Sequence, residues 1–245
     1  MLTQPPPTFP AYTPSAAGEQ RDDRSGHRHR QVIGYLGLAL PILLVLMQRW
    51  RANASSDQWN GSSISAYYWT GAVSLFAGLL AVLAVFLLTY RGYDNESRDQ
   101  DRSAAVVAGV AAAVVALFPT SPPGGIALPW YRDWISTTHT AAAIILFSMF
   151  AVFSLVLFRK SAPGEGKPAD KRRRDAIYLL CGIGILASMA WAVVAGMAGA
   201  SIFWPESLAL VFFAWSWLTK GRALHSIKVT VRSAKERMAG RSIAM

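Results

Sequence analysis

The charged residues of this chain are gathered into blocks. Between the blocks lie six apolar segments: Val32 to Gln48, Trp69 to Tyr90, Ala104 to Phe118, Ser136 to Phe158, Ala176 to Gly199 and Ile202 to Leu218. A run of about 20 apolar residues, coiled as a helix, matches the roughly 30 Å of hydrocarbon in a bilayer. No water is available there to satisfy backbone groups, so a segment must bond to itself as a helix or close into a barrel. The alternation over about ten residues that marks a barrel strand is absent from these segments. Composition agrees: 53% of the 245 residues are apolar and 16% are charged, against about 25% charged in a soluble domain. The sequence therefore predicts an all-α polytopic membrane bundle, with six transmembrane helices over residues 31–220. The third segment is short and dominated by Ala and Val, which predicts a helix packed inside the bundle, where small side chains permit close approach.

The flanks are of a different character. Residues 1–30 hold Pro5, Pro6, Pro7, Pro10 and Pro14 and then a charged stretch from Glu19 to Arg30, and are expected to form a disordered Pro-rich, basic tail. The first apolar run begins only near Val32, so the first span is expected to act as the insertion signal in place of a cleaved leader. In residues 221–245, Leu224, Ile227, Val231, Ala234 and Met238 fall at spacings of three and four, with Lys228, Arg232, Arg237 and Arg241 mostly off that stripe. That pattern predicts a basic amphipathic helix on a membrane surface.

Lys and Arg are divided unequally between the two sides. The N-terminal tail has four, the second loop three, the fourth loop seven and the C-terminal tail seven, whereas the first loop has Arg49 and Arg51, the third Arg132 and the fifth none. Basic loops stay in the cytoplasm, so both termini are expected to be cytoplasmic, in a multi-pass protein of a bacterial inner (plasma) membrane. The net charge of +10 is then explained by topology and by anionic inner-leaflet lipid at the basic tails, which argues against nucleic acid as a partner. A protein partner or a second copy of the chain is left open by the sequence.

With that orientation, the unusual polar residues fall at the outer end. Ser63, Ser65, Tyr67 and Tyr68 enter the second span, His139 lies in the fourth, and Glu206 opens the sixth. These six are the candidate ligand-binding residues, and His139 and Glu206 are the candidates for chemistry. Glu206 alone of the fourteen acids falls within a predicted span. A carboxylate near hydrocarbon normally has a partner or a task, although Trp204-Pro205-Glu206 also reads as a helix start favoured by the helix dipole. His139, the only histidine within a span, can pair, act as a base or ligate a metal. No metal-ligand spacing, nucleotide-binding loop, haem-attachment motif or flavin fingerprint is present, so neither metal nor cofactor is expected. The serines lack a Gly-x-Ser-x-Gly elbow. The single Cys181 forms no intramolecular disulfide and reads as a small buried hydrophobe.

Several short motifs act together here: Ser63-Ile64-Ser65-Ala66-Tyr67-Tyr68, Tyr90-Arg91-Gly92-Tyr93, Ala116-Leu117-Phe118-Pro119-Thr120, His139, Arg172 to Tyr178, and Glu206 with Ser216 to Gly221. With them, residues 30 to 222 resemble a group of bacterial six-span proteins that is loosely similar to the Frag1/DRAM/Sfk1 type. The resemblance implies a six-helix membrane bundle and, through the eukaryotic members, an association with lipid. Lacking a catalytic constellation, the chain reads as a non-enzymatic, lipid-interacting scaffold or sensor with a polar site at the outer end of the bundle. The alternatives are a proton- or cation-coupled transporter using Glu206, and a lipid-directed enzyme using His139 and Glu206 as base and acid. Whether His139 and Glu206 share one cavity with Ser63 or Tyr67 bears directly on this choice.

Overall fold

A computed structural model describes residues 16–52, 62–92, 98–124, 128–160 and 168–223. Among these residues the secondary structure is entirely helical: α1 (Ala16–Ala52), a 3-10 turn (Ser65–Trp69), α2 (Val73–Leu88), α3 (Arg98–Leu117), α4 (Asp133–Val152) continued by a π turn (Phe153–Leu157), α5 (Pro168–Met197) and α6 (Phe203–Lys220). Four stretches within them are long and apolar enough to cross a membrane: Ser25–Trp50, Asp99–Leu117, Asp133–Leu157 and Ala169–Met197. Helix α2 is equally apolar but has only 16 residues, about 24 Å of rise. Helix α6 has 18 residues, with Glu206 in its first turn and Lys220 in its last.

Each helix packs on the next in chain order, and α1 packs on α6, so the six close into a ring. Successive helices run antiparallel. At one end the part of α1 around Arg30 meets the ends of α2 and α6: His29 donates through Nε2 to the Phe86 carbonyl at 2.7 Å, Arg30 donates to the Tyr90 hydroxyl at 3.2 Å, and Gln31 donates to the Gly221 carbonyl at 2.7 Å. Lys160 donates to Gln100 at this same end. At the other end the Ile202 amide donates to the Ser62 carbonyl at 2.8 Å, and Trp69 donates through Nε1 to the Thr120 carbonyl at 3.0 Å.

The expected tail of residues 1–30 is corrected in part. Residues 16–30 belong to α1, and the bonds from His29 and Arg30 to α2 and Tyr90 show why the helix continues beyond the apolar run. Residues 1–15 and the amphipathic stripe from Leu224 to Met238 lie outside the described residues. Helices α3 and α5 likewise begin in charged sequence, at Arg98 and Pro168, ahead of the expected Ala104 and Ala176. In α3 this brings in Asp101, 4% exposed, so Glu206 is not the only acid held within a helix of the bundle.

The ring is filled with aromatic side chains towards its Arg30 end. Trp217 is fully buried, with ring centroids 5.0 Å from Phe153, 5.0 Å from Phe158 and 5.2 Å from Tyr90. The buried Lys220 donates to the Phe158 carbonyl at 3.0 Å and lies over the Phe158 and Tyr178 rings. It thereby supplies a donor to one of the carbonyls that every helix end leaves without an intrahelical partner. In the π turn, Ser154 and Ser216 share a hydrogen bond of 2.8 Å between α4 and α6.

Close approach of α1 and α6 depends on Gly37. A Cβ there would sit 2.5 Å from Cδ1 of Phe213, and Phe213 has no room to retreat, being fully buried and stacked on Phe150 with centroids 3.7 Å apart. Gly37→Ala is expected to destabilise the bundle by about 1–3 kcal/mol through overpacking, read as a lower midpoint of thermal unfolding in detergent. An unchanged midpoint would show that α1 and α6 are not held this closely.

Candidate functional site

The chain between α1 and α2 and the start of α6 are sewn together at the Ser63 end. Helix α6 opens with Pro205 inside its first turn, where the missing N–H would have had no helical partner. The first helical bond then runs from the Glu206 amide to the Ile202 carbonyl at 3.1 Å. The Glu206 side chain does not cap its own helix. Its Oε2 accepts from the Ile64 amide at 2.6 Å, at the N-terminal edge of the 3-10 turn. The adjacent Ser63 hydroxyl accepts from the Ala66 amide at 2.8 Å, in the manner of a helix N-cap. Two free amides at the head of the turn are thus satisfied, one locally and one from α6.

His139, on the second turn of α4 and 3% exposed, is held at both ring nitrogens. Nδ1 lies 2.6 Å from the Phe118 carbonyl oxygen, which can only accept, so Nδ1 carries a proton. The neutral ring then offers its Nε2 lone pair to the Ser65 hydroxyl, 2.8 Å away. The Phe118 carbonyl is open to this contact because the residue four positions on is Pro122, which has no N–H to continue the helix. Ile64 and Ser65 are adjacent, so one dipeptide connects the carboxylate of α6 with the imidazole of α4.

Both groups line one cavity of about 340 Å³. Its polar part comprises Ser63, Ser65, Thr120, His139, Thr140, Ser188 and Glu206, and its apolar part includes Ala143, Ile144 and Phe147 of α4, Met189 and Val193 of α5 and Ala209 of α6. Ile144 is 55% exposed and Val193 62% exposed, so the cavity opens sideways between α4 and α5 onto the apolar flank of the bundle. Beneath it, one turn further along α4 and α6, Phe150 and Phe213 are fully buried and stacked face to face.

Of the six residues singled out in the sequence, Ser63, Ser65, His139 and Glu206 meet at this cavity. Tyr67 and Tyr68 do not line it: Tyr67 is fully buried with its ring 6.2 Å from Phe203, and Tyr68 packs edge-on against Trp69 and Phe76. The structure adds two polar residues that sequence reasoning passed over, Thr140 and Ser188, and brings to the cavity Thr120, which the sequence offered only as part of a motif. Ser188 is 2% exposed, and its Oγ has no hydrogen-bond partner among the described residues. The only signal for it in the sequence is a lone serine inside the apolar run of α5. Among the described residues, no three His, Cys, Asp or Glu side chains converge as a metal site would require. Cys181 is buried in α5 and does not line the cavity.

No family model, curated protein or solved structure matches this chain.

Proposed function

We propose that the protein is a six-span protein of the bacterial inner membrane, with both termini in the cytoplasm, and that its outer end binds a membrane lipid. The observation that carries this reading is the shape and chemistry of the cavity. Ser63, Ser65, Thr120, His139 and Glu206 are gathered at its head, its walls are largely apolar, and its mouth opens where a helix bundle faces acyl chains. Its volume lies within the range of about 300–1,000 Å³ that is usual for small-molecule sites.

The placement of charge supports the topology. Arg30, Arg91, Arg159 and Lys220 belong to the end opposite the cavity, and a basic end is retained in the cytoplasm. The short α2 is extended towards the outer face by the 3-10 turn, and aromatic residues at that end, among them Trp69 stacked on Trp130, suit the headgroup level. The resemblance to the Frag1/DRAM/Sfk1 type points the same way, towards lipid. The stacked Phe150 and Phe213 below the cavity favour binding over passage, because a transported ion would have to force apart a pair of fully buried rings.

The test is photo-crosslinking in membranes with a phosphatidylglycerol bearing a diazirine in its acyl chain. Labelled peptides are expected from α4 and α5, around Ile144 and Val193. Ala143→Trp, which fills the groove, is expected to reduce labelling of these peptides at least tenfold while leaving the chain folded. Equal labelling of every lipid-facing helix, unaffected by Ala143→Trp, would overturn the reading.

A further inference from the structure

We propose that Ser65 is a nucleophile, activated by His139, that attacks the carboxylic ester of an acyl lipid bound in the cavity. The proposal rests on the lipid-binding reading above and assigns the site its chemistry.

Three arrangements support it. The Ser65 hydroxyl is 2.8 Å from Nε2 of His139, while the Phe118 carbonyl, 2.6 Å from Nδ1, fixes the tautomer in which Nε2 is free to take a proton. A nucleophile within hydrogen-bond reach of a base, and a third group orienting that base, is the relation shared by serine acyl-transfer sites on unrelated folds. Here a backbone carbonyl does the orienting. Secondly, Ser65 and His139 lie where the polar head of the cavity gives way to its apolar walls. The ester carbonyl of an acylglycerol lipid sits at that same junction, between headgroup and chain. Thirdly, the cavity holds a spare donor. Ser188 lines it, and its buried hydroxyl has no hydrogen-bond partner among the described residues. Such a donor is suited to the carbonyl oxygen as negative charge develops on it.

The step balances with water as the only co-reactant. Ser65 Oγ bonds to the carbonyl carbon and passes its proton to Nε2 of His139. The bond from that carbon to the alkoxy oxygen breaks, and Nε2 returns the proton to the departing alcohol, leaving an acyl ester on Ser65. Water attacks this ester with the same proton relay, releasing the acid and restoring the hydroxyl. Glu206 is a positioning residue in this scheme. Its carboxylate holds the Ile64 amide and so fixes the backbone that carries Ser65.

The experiment uses the full chain in nanodiscs and a long-chain alkyl fluorophosphonate, with adducts mapped by mass spectrometry. A covalent adduct is expected on Ser65, absent in Ser65→Ala and formed at least about 100-fold more slowly in His139→Gln. Ser188→Ala is expected to slow it by about 100-fold. Glu206→Gln, which keeps an acceptor oxygen for the Ile64 amide, is expected to preserve adduct formation, whereas Glu206→Leu loses it; that rescue separates positioning from proton donation. Photolabelling by the diazirine lipid is measured on the same samples. No adduct on Ser65 of the unaltered chain, with photolabelling of α4 and α5 retained, would overturn the nucleophile and leave lipid binding standing. Loss of both would overturn the two readings together. An adduct on Ser65 that is unaffected by His139→Gln would overturn the assigned base.

Discussion

Trp217→Ala is expected to lower the stability of the bundle by about 3–5 kcal/mol, the range for removing a large aromatic side chain from a packed core. The indole is fully buried among Tyr90, Phe153, Phe158 and Phe213, which belong to three different regions of the ring. Its Nε1 has no hydrogen-bond partner among the described residues, so what the mutation removes is ring packing. Trp217→Phe should therefore retain most of the stability. The check is thermal unfolding in detergent, followed by size-exclusion chromatography. A midpoint about 10 °C lower is expected for the alanine variant, and a small shift for the phenylalanine one. Equal losses from both would mean that the N–H matters in a way the packing does not explain.

His139→Phe is the second large effect. The ring shape is retained, but the Phe118 carbonyl loses its donor and the Ser65 hydroxyl its acceptor. Each buried polar group left unsatisfied costs about 1–3 kcal/mol, so a destabilisation of about 2–5 kcal/mol is expected. Its signature should be local. Hydrogen exchange is expected to rise in the Ser62–Thr70 segment and at the start of α4, while the Trp217 region remains protected. Uniform loss of protection across the bundle would contradict the assignment of His139 to one end. His139→Asn, with one donor and one acceptor on its side chain, is expected to recover some of the loss.

Much of the helical architecture can be read from hydropathy because hydrocarbon admits so few backbone solutions. The apolar runs beginning near Val32, Ala104, Ser136 and Ala176 each become a helix long enough to cross a membrane. What hydropathy misses is the continuation of helices into charged sequence. Arg30 is polar by composition, yet it is 4% exposed and bonded to Tyr90, a contact with a residue 60 positions away that no local window contains. Entry into α2 is also hidden. Tyr67-Tyr68-Trp69 is as apolar as a helix start, but the backbone there forms a 3-10 turn held by Glu206 and Ser63.

The site divides along the same line. Glu206 and His139 stand out because ionisable residues are scarce in apolar runs, and Ser63 and Ser65 because they cluster. The group that fixes the His139 tautomer is a backbone carbonyl, which every residue possesses, so although Phe118 stands in a quoted motif, no reading of side chains could assign it this role. Ser188 is equally hidden, because an isolated serine in an apolar helix is common as a small packing residue. Its neighbours across the cavity come from α4 and α6, and only the closed ring brings them together.

That closure also sets an order of assembly. Helix α1 is made first, and its packing partners are α2, which follows it, and α6, which comes last. Until α6 emerges, the face of α1 around Gly34 and Gly37 is left to lipid, and the segment at Ile64 lacks its Glu206 anchor. Among the described residues, the cavity is consequently completed only when α6 arrives. A chain halted before α6 would lack Pro205, Glu206 and Ala209 of the cavity wall, so the last of these helices in chain order decides whether the pocket exists at all.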